Sequence, residues 1–247
     1  MTETSPASLY PGHRVLAMFP FYNEQDRLAE MAPRLRPGLV DKFIGVSDGS
    51  TDLGPQVLRD GGIEVLEIAH AGAGACMKRA VRYAQENGYD IMVVMAGNNK
   101  DNPEEIPRLL DPILNEGCDY VQGSRFLPGG GYPHLPAFRF FAIKLLSLLF
   151  SFYTLRRCTE LTNGFRAYSL RLFADPRIDI WQEWLDGYEY EYYIHWKVHA
   201  YGYKIKEVPV IKSYPAKKGM RYSKIRPFIG WWHMLRPFIL LTLRLKH

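Results

Sequence analysis

Short apolar segments alternate with helix-forming segments along the first half of the chain. The apolar segments cover residues 14–19, 42–47, 63–68, 90–95 and 119–122. The helix-forming segments between them cover residues 24–34, 51–59, 73–87 and 103–114. Regular alternation of this kind predicts an α/β fold, in which a mostly parallel, Rossmann-like sheet is flanked by helices on both faces.

Polar residues collect where the predicted strands end. Four strands run into loops with polar side chains, at residues 20–24, 47–52, 96–101 and 123–125. The carboxyl ends of parallel strands lie at one edge of the sheet, where ligands bind in folds of this class. A single polar loop is ordinary, because Ser50 or Asp52 would simply cap a helix. Four such loops at one edge favour a binding site.

Four motifs occur in a familiar order along the chain. They are Pro20-Phe21-Tyr22-Asn23-Glu24, Ser47-Asp48-Gly49-Ser50-Thr51-Asp52, Gly123-Ser124-Arg125-Phe126 and Thr162-Asn163-Gly164-Phe165-Arg166-Ala167-Tyr168. Together they resemble family 2 glycosyltransferases of the GT-A fold, and within that family the polyprenyl-phosphate hexose synthases. The resemblance implies an inverting transferase that moves a hexosyl group from a UDP- or GDP-linked sugar to a polyprenyl phosphate.

The resemblance also implies roles for individual residues. It places the nucleotide beside Pro20, Tyr22, Glu24, Asp48 and Ser50. It places the cations of Arg125 and Arg166 near the acceptor phosphate, and Arg221 and Lys224 of a basic segment near the donor diphosphate or the acceptor. The alternative for that basic segment is an ordinary solvated surface.

The loop after the fourth strand departs from the family pattern. Where the family has Asp-x-Asp-x-Gln, this chain has Ala96-Gly97-Asn98-Asn99-Lys100. A divalent ion bound with a diphosphate prefers hard oxygen ligands, usually including a carboxylate. Asn98 offers only a neutral carbonyl oxygen. The chain must therefore hold the diphosphate by other means.

Two solutions are open for this loop. In the first, Mg²⁺ or Mn²⁺ binds weakly to Asn98 and Asp101, or to another carboxylate such as Glu160, Glu189 or Glu191. In the second, which we favour, Lys100 replaces the metal as a point charge on the diphosphate and the reaction is metal-independent. The alternative to both is a solvated lysine in a protein that has lost catalysis.

The chemistry of the transfer assigns candidate catalytic residues. Charge that builds on the departing diphosphate must be stabilised, by Lys100, Arg221 and Lys224 or by an ion. A polyprenyl phosphate is already anionic and needs no strong base, and the resemblance places the Arg125 cation beside it. A hydroxyl acceptor requires a base, for which Asp101, Glu160 and Glu189 are candidates.

Two apolar segments predict contact with a membrane surface. Residues 138–153 form an amphipathic helix with Lys144, Ser147 and Ser151 on one stripe. This helix is too short to span a bilayer easily, so we expect it in the interface or packed on the domain. The C-terminal residues 226–247 predict two amphipathic helices separated at Pro237. Their paired tryptophans and cations suit lipid headgroups, and a homodimer contact is the alternative.

Three regions follow from these patterns. We expect a flexible segment at residues 1–12, a GT-A domain at residues 13–225 and the interfacial helices at residues 226–247. The net charge of +5 suits a sugar nucleotide or anionic lipid, and we expect no nucleic-acid partner. The N-terminus has no apolar signal segment, which predicts a cytoplasmic protein at the inner face of the membrane. Two alternatives are a soluble glycosyltransferase with a small-molecule acceptor and a non-catalytic sugar-nucleotide binder.

Overall fold

The computed structural model describes residues 8–214 and 229–247. The strands are β1 (Val15–Phe21), β2 (Lys42–Asp48), β3 (Glu64–Ile68), β4 (Ile91–Val94), β5 (Tyr120–Ser124), β6 (Arg166–Ser169) and β7 (Ile205–Pro209). The α-helices are α1 (Gln25–Met31), α2 (Gly54–Asp60), α3 (Ala73–Glu86), α4 (Ile106–Glu116), α5 (Ala137–Thr154), α6 (Glu189–Ala200) and α7 (Ile229–Thr242). Short 3-10 helices cover Ala32–Arg34, Pro103–Glu105, Leu170–Ala174 and Glu183–Leu185.

The strands form one sheet of seven in the order β3-β2-β1-β4-β6-β5-β7. Strand β6 is antiparallel to its neighbours β4 and β5, and the other neighbouring pairs are parallel. The prediction of a mostly parallel sheet flanked by helices is therefore confirmed. The carboxyl ends of β1, β2 and β4 lie next to one another because these strands are adjacent and parallel.

The central strand β1 is covered on both faces. Leu16 and Met18 pack in the core that includes α3 and α6, whereas Ala17 and Phe19 pack in the core that includes α1, α2 and α4. All four side chains are fully buried. A strand buried on both faces carries apolar residues at every position, which is why the first strand shows no alternation of polar and apolar residues.

Helix α5 turns Ser147 and Ser151 of its polar stripe toward the protein and most of its apolar surface away, whereas Lys144 of the same stripe is exposed. The Ser147 hydroxyl accepts a hydrogen bond from the amide N–H of Leu161 at 3.1 Å, and the Ser151 hydroxyl accepts one from Cys158 at 2.9 Å. Six apolar side chains are each more than half exposed: Phe138, Phe141, Leu145, Leu148, Leu149 and Phe152. The helix therefore packs on the domain through its serines and a narrow apolar strip.

The predicted break of the C-terminal segment at Pro237 is wrong, because α7 continues through this residue as one helix. Proline removes a backbone hydrogen bond and crowds the preceding turn. Here the residues on either side are held by other elements. The Arg236 guanidinium lies 2.6 Å from the Glu189 carboxylate, and the Phe238 ring packs on Phe150 with centroids 5.2 Å apart. These tertiary contacts offset the cost of the proline.

The predicted boundaries of the three regions fall partly outside the described residues. In the predicted flexible segment 1–12, residues 1–7 are outside, whereas the amide N–H of Leu9 donates to Asp41 Oδ1 at 2.9 Å. The predicted boundary after residue 225 also lies outside the described residues. The three regions stay a prediction.

Candidate active site

The loops after β1 and β2 are locked together by hydrogen bonds. Asn23, whose φ of 48° is in the left-handed region, accepts a hydrogen bond from the Thr51 amide at 2.8 Å. The backbone N–H of Asn23 donates to the Ser50 hydroxyl at 3.1 Å, and the backbone N–H of Gln25 donates to the Asp52 carboxylate at 2.9 Å. The predicted nucleotide residue Ser50 therefore also fixes the shape of the neighbouring loop.

Asp48 shapes the loop that follows β3. One carboxylate oxygen accepts hydrogen bonds from the amides of Ala71 at 2.8 Å and Gly72 at 3.0 Å, and the other lies 3.0 Å from His70 Nδ1. The ring of His70 stacks on the ring of Tyr22, with centroids 4.4 Å apart. These contacts bring Tyr22 and Asp48 together and add His70, which the sequence motifs did not single out.

Two further predicted nucleotide residues lie near the same edge. Pro20 pairs with Val46 across β1 and β2, and its carbonyl oxygen would lie 2.7 Å from a Cβ atom at Gly97. Only glycine permits this approach between the ends of β1 and β4. The Glu24 carboxylate lies 2.9 Å from the Arg27 guanidinium. Pro20 therefore packs directly against the strand-four loop, residues 95–101.

Asp101 anchors the strand-four loop from within. It is 1% exposed, and one of its oxygens accepts a hydrogen bond from the Ala96 amide at 2.8 Å. The other oxygen lies 2.6 Å from the ammonium of Lys212, which also donates to Asn163 Oδ1 at 3.0 Å. The Ser213 amide donates to the carbonyl oxygen of Lys100 at 2.9 Å, so the loop is tied to the chain that follows β7.

The two asparagines of this loop have different surroundings. The Asn99 side chain accepts from Arg34 at 2.6 Å and donates to Glu30 at 3.1 Å, so it faces α1. Asn98 Oδ1 is buried and has no hydrogen-bond partner among the described residues. An unpaired buried oxygen is costly, which indicates a place where a ligand would supply a donor.

Lys100 is 8% exposed. Burial lowers the pKa of its ammonium to about 8, with further lowering by the cations of Lys212, Arg27 and Arg139, while Glu24 acts in the opposite direction. The Lys100 Nζ lies 5.6 Å from the ring centroid of Tyr214. Lys212 and Arg27 are themselves paired with Asp101 and Glu24, so the buried Lys100 ammonium adds positive charge to this loop, which favours an anionic ligand.

Arg125 and Glu160 form a buried ion pair beside Tyr214. Arg125 Nε donates to Glu160 at 2.6 Å, Nη2 donates to the Thr162 hydroxyl at 2.9 Å, and Nη1 donates to the Tyr214 hydroxyl. The second Glu160 oxygen accepts from the Thr162 amide at 2.9 Å. The catalytic roles of Arg125 and Glu160 stay predictions. The observed contacts show that both side chains stabilise the structure around them.

Arg166 is fully buried within the sheet. Its guanidinium donates to the carbonyl oxygens of Asn163 at 2.7 Å and of Leu161 and Glu191 at 3.2 Å. These contacts connect β6 to the segment before it and to α6. The predicted contact of Arg166 with the acceptor phosphate remains a prediction. The other predicted phosphate residues, Arg221 and Lys224, lie outside the described residues.

The residues of the strand-four loop do not fit a tightly held divalent ion. Asp101 is paired with Lys212, Glu160 with Arg125, and Glu189 with Arg236 of α7. One oxygen of Glu191, the fourth candidate carboxylate, lies 3.5 Å from the guanidinium of Arg166. The part of the chain that the structure describes has no cluster of three or more His, Cys, Asp or Glu suited to a metal.

Two relatives with similar sequences are named as mannosyl transferases of polyprenol or undecaprenyl phosphate. Polyprenol monophosphomannose synthase of Mycolicibacterium smegmatis is 28% identical over 213 residues, which cover 83% of this chain and 79% of that protein. Undecaprenyl-phosphate mannosyltransferase of Micrococcus luteus is 29% identical over 208 residues, which cover 80% of this chain and 82% of that protein.

The fold is also found in solved structures. Glucosyl-3-phosphoglycerate synthase from Mycobacterium tuberculosis, in complex with Mn²⁺ and UDP-glucose, has a TM-score of 0.68 at 21% identity. The match covers 94% of this chain and 79% of that chain. The family profile described as glycosyl transferase family 2 matches residues 17–175. The chain therefore belongs to glycosyl transferase family 2 and is a nucleotide-sugar-dependent glycosyltransferase with the GT-A fold.

Proposed function

We propose that this chain transfers a hexosyl group from a UDP- or GDP-linked sugar to a polyprenyl phosphate at the cytoplasmic surface of a membrane. The observation that carries this proposal is the exposed apolar surface of α5 and α7. Its most exposed members on α7 and just after it are Trp232, Ile239, Leu243 and Leu245. Monomeric soluble proteins rarely expose large continuous apolar patches. The two relatives named for polyprenol and undecaprenyl phosphate support the same acceptor class.

Contacts between α5 and α7 support a common membrane-facing role. Phe150 packs on Phe238, and the Tyr153 hydroxyl hydrogen-bonds to Thr242. The start of α5 is electrostatically coupled to the site, because Arg139 lowers the pKa of Lys100. We infer that the acceptor phosphate binds near the start of α5.

We favour a helix that lies in the interface over one that crosses the bilayer. Among the described residues, Ala137–Thr154 is the one helix whose length and composition would suit a membrane span. At 1.5 Å per residue it is about 27 Å long, slightly less than the hydrocarbon thickness of about 30 Å. Ile143, Ser147 and Phe150 are buried against the domain, which supports attachment along one side.

The proposed reaction proceeds by direct displacement. A phosphate oxygen of the acceptor forms a bond to the anomeric carbon while the bond from that carbon to the nucleoside diphosphate breaks, with inversion. The acceptor oxygen is already anionic, so no strong general base is required. Tyr22, Asp48 and His70 would hold the nucleoside, and the cations around Lys100 would stabilise the departing diphosphate.

A transfer assay with lipid vesicles tests the proposal. Purified protein is incubated with UDP-glucose, UDP-N-acetylglucosamine or GDP-mannose and with vesicles that contain undecaprenyl phosphate. We expect one donor to give a glycosylated lipid. Nucleotide binding without transfer to lipid or small-molecule acceptors would instead favour the non-catalytic alternative.

The apolar surface can be tested separately. Replacing Phe141, Leu148 and Phe152 together by serine should weaken binding to phosphatidylglycerol vesicles about 100-fold or more, because each buried side chain of this kind contributes roughly 1.5–3 kcal/mol. Leu9→Ser, which changes an exposed leucine outside α5 and α7, is the matched control. Unchanged vesicle binding together with a detergent-free dimer would support the soluble alternative, in which these helices form a homodimer contact.

A further inference from the structure

Lys212 brings a cation to the strand-four loop from a distant part of the chain. It is 111 residues from Asp101 in sequence, yet its ammonium lies 2.6 Å from the Asp101 carboxylate. The pair is almost completely buried, where an unpaired carboxylate would be strongly destabilising. A carboxylate held in this way is a poor ligand for a divalent ion, because the ion would have to displace the ammonium.

Lys100 adds a second ammonium to the same loop. The like charges of Lys212, Arg27 and Arg139 act on it, and Glu24 acts with the opposite charge. Lys212 and Arg27 are paired with Asp101 and Glu24, so the buried ammonium of Lys100 adds positive charge to this loop. This charge attracts an anion and repels a divalent cation.

We propose that the ammonium groups of Lys100 and Lys212 act in place of a divalent cation. Lys212 holds the Asp101 carboxylate, and Lys100 binds the diphosphate of the donor. This inference rests on the proposed function, which supplies a nucleoside-diphosphate sugar as donor. The Asn98 carbonyl oxygen, which lacks a partner among the described residues, suits a hydroxyl of the donor sugar. The strand-four loop thus carries fixed protein charges at the place of a mobile ion.

Nucleotide binding without metal is the first test. UDP and GDP are titrated calorimetrically into the protein in the presence of EDTA, and then with Mg²⁺ or Mn²⁺ in place of EDTA. We expect one nucleotide to bind in EDTA, with an affinity that metal changes by less than about threefold. Lys100→Met should weaken this binding about 10- to 100-fold, as expected for a hydrogen bond to a charged group. Lys206→Met, which alters an exposed lysine paired with Glu116, should leave it unchanged.

Mn²⁺ alone provides a second test that needs no nucleotide. The Tm of the unchanged protein should not respond to Mn²⁺, because Asp101 is occupied by Lys212. Lys212→Met should make the Tm rise with Mn²⁺, since it releases the Asp101 carboxylate. Should this variant not fold, Asn98→Asp adds a carboxylate without removing the ion pair and should also create a response to Mn²⁺. A Tm of the unchanged protein that rises with Mn²⁺ would overturn the inference.

The outcomes separate this inference from the proposed function. Hexosyl transfer that occurs only with added Mg²⁺ or Mn²⁺ would overturn the inference and leave the function standing. Nucleotide binding in EDTA that Lys100→Met weakens, without transfer to any acceptor, would support the inference and count against the function. No binding of UDP or GDP under either condition would overturn both.

Discussion

The two halves of the candidate site are held together in different ways. The half that we propose to bind the nucleoside, here the nucleoside half, is formed by the loops after β1, β2 and β3 and is held by hydrogen bonds of backbone amides to Asn23, Ser50 and the buried carboxylate of Asp48. The half that we propose to bind the diphosphate, here the phosphate half, is organised by buried ion pairs, Lys212 with Asp101 and Arg125 with Glu160. A protein binds a nucleoside through a complementary shape and aromatic stacking, whereas it binds a diphosphate through positive charge. In this chain the charge is built into the phosphate half.

The largest expected effect is on the stability of the phosphate half. Arg125→Ala should lower the free energy of unfolding by about 3–5 kcal/mol, because it leaves the Glu160 carboxylate buried without its cation. Denaturant unfolding followed by circular dichroism measures this change. The double variant Arg125→Met with Glu160→Leu should recover much of the loss, since it removes both charges. A loss below about 1 kcal/mol for Arg125→Ala would contradict a structural role for this pair.

The nucleoside half should respond through binding rather than stability. His70→Ala removes an aromatic ring that stacks on Tyr22 and that we propose to contact the nucleoside. It should weaken UDP or GDP binding roughly 10-fold, in line with about 1–3 kcal/mol for stacking of a base on an aromatic side chain. The weakening should be the same at low and high salt, whereas the loss in Lys100→Met should shrink as salt rises. Equal salt dependence in the two variants would remove the distinction between the halves.

The pH dependence of nucleotide binding separates the halves further. Burial lowers the pKa of Lys100 to about 8, and a bound diphosphate would raise it again. The titration of Lys100 should therefore leave nucleotide affinity constant below pH 8. Above pH 8 nucleotide affinity should fall by up to about 10-fold per pH unit, because Lys100 loses its proton in the free protein. The phosphate ionises near pH 6, so its own charge is constant in this range. Titrations between pH 7 and 9.5 test this, and the decline should disappear in Lys100→Met.

The smallest effect is expected for an ion pair outside both halves. Lys206 and Glu116 pair at the surface beside β7, and both side chains are more than a third exposed. Glu116→Gln should change the free energy of unfolding by less than about 1 kcal/mol and leave nucleotide binding unaltered. Denaturant unfolding of this variant calibrates the much larger change expected for Arg125→Ala.

The sequence predicted the features that depend on local patterns. Alternating segments indicated the parallel sheet, and the motifs around Tyr22 and Asp48 lie together as expected at one sheet edge. His70 was missed because it stands outside the motifs and its stacking on Tyr22 depends on the loop after β3. Lys212 was missed because its partner Asp101 is far away in sequence. Pairings of this kind follow from the path of the whole chain and leave no periodic signal.

The helices show the same limit. Amphipathic character was evident in residues 138–153, but the sequence did not reveal that Ser147 and Ser151 face the protein while the broad apolar side is exposed. Helix polarity alone does not say which side meets solvent, since a membrane can cover the apolar side. At Pro237 the local rule predicted a break, and contacts of α7 with Glu189 and Phe150 outweighed it.

The most direct measurement is a crystal structure of the protein with the nucleotide that binds it, UDP or GDP, grown in the presence of EDTA. The expected result is a diphosphate oxygen about 2.8 Å from Lys100 Nζ, with the Lys212 and Asp101 pair intact. A diphosphate bound away from the strand-four loop, or one that appears there only when a divalent ion bridges it to Asp101, would contradict neutralisation by protein cations.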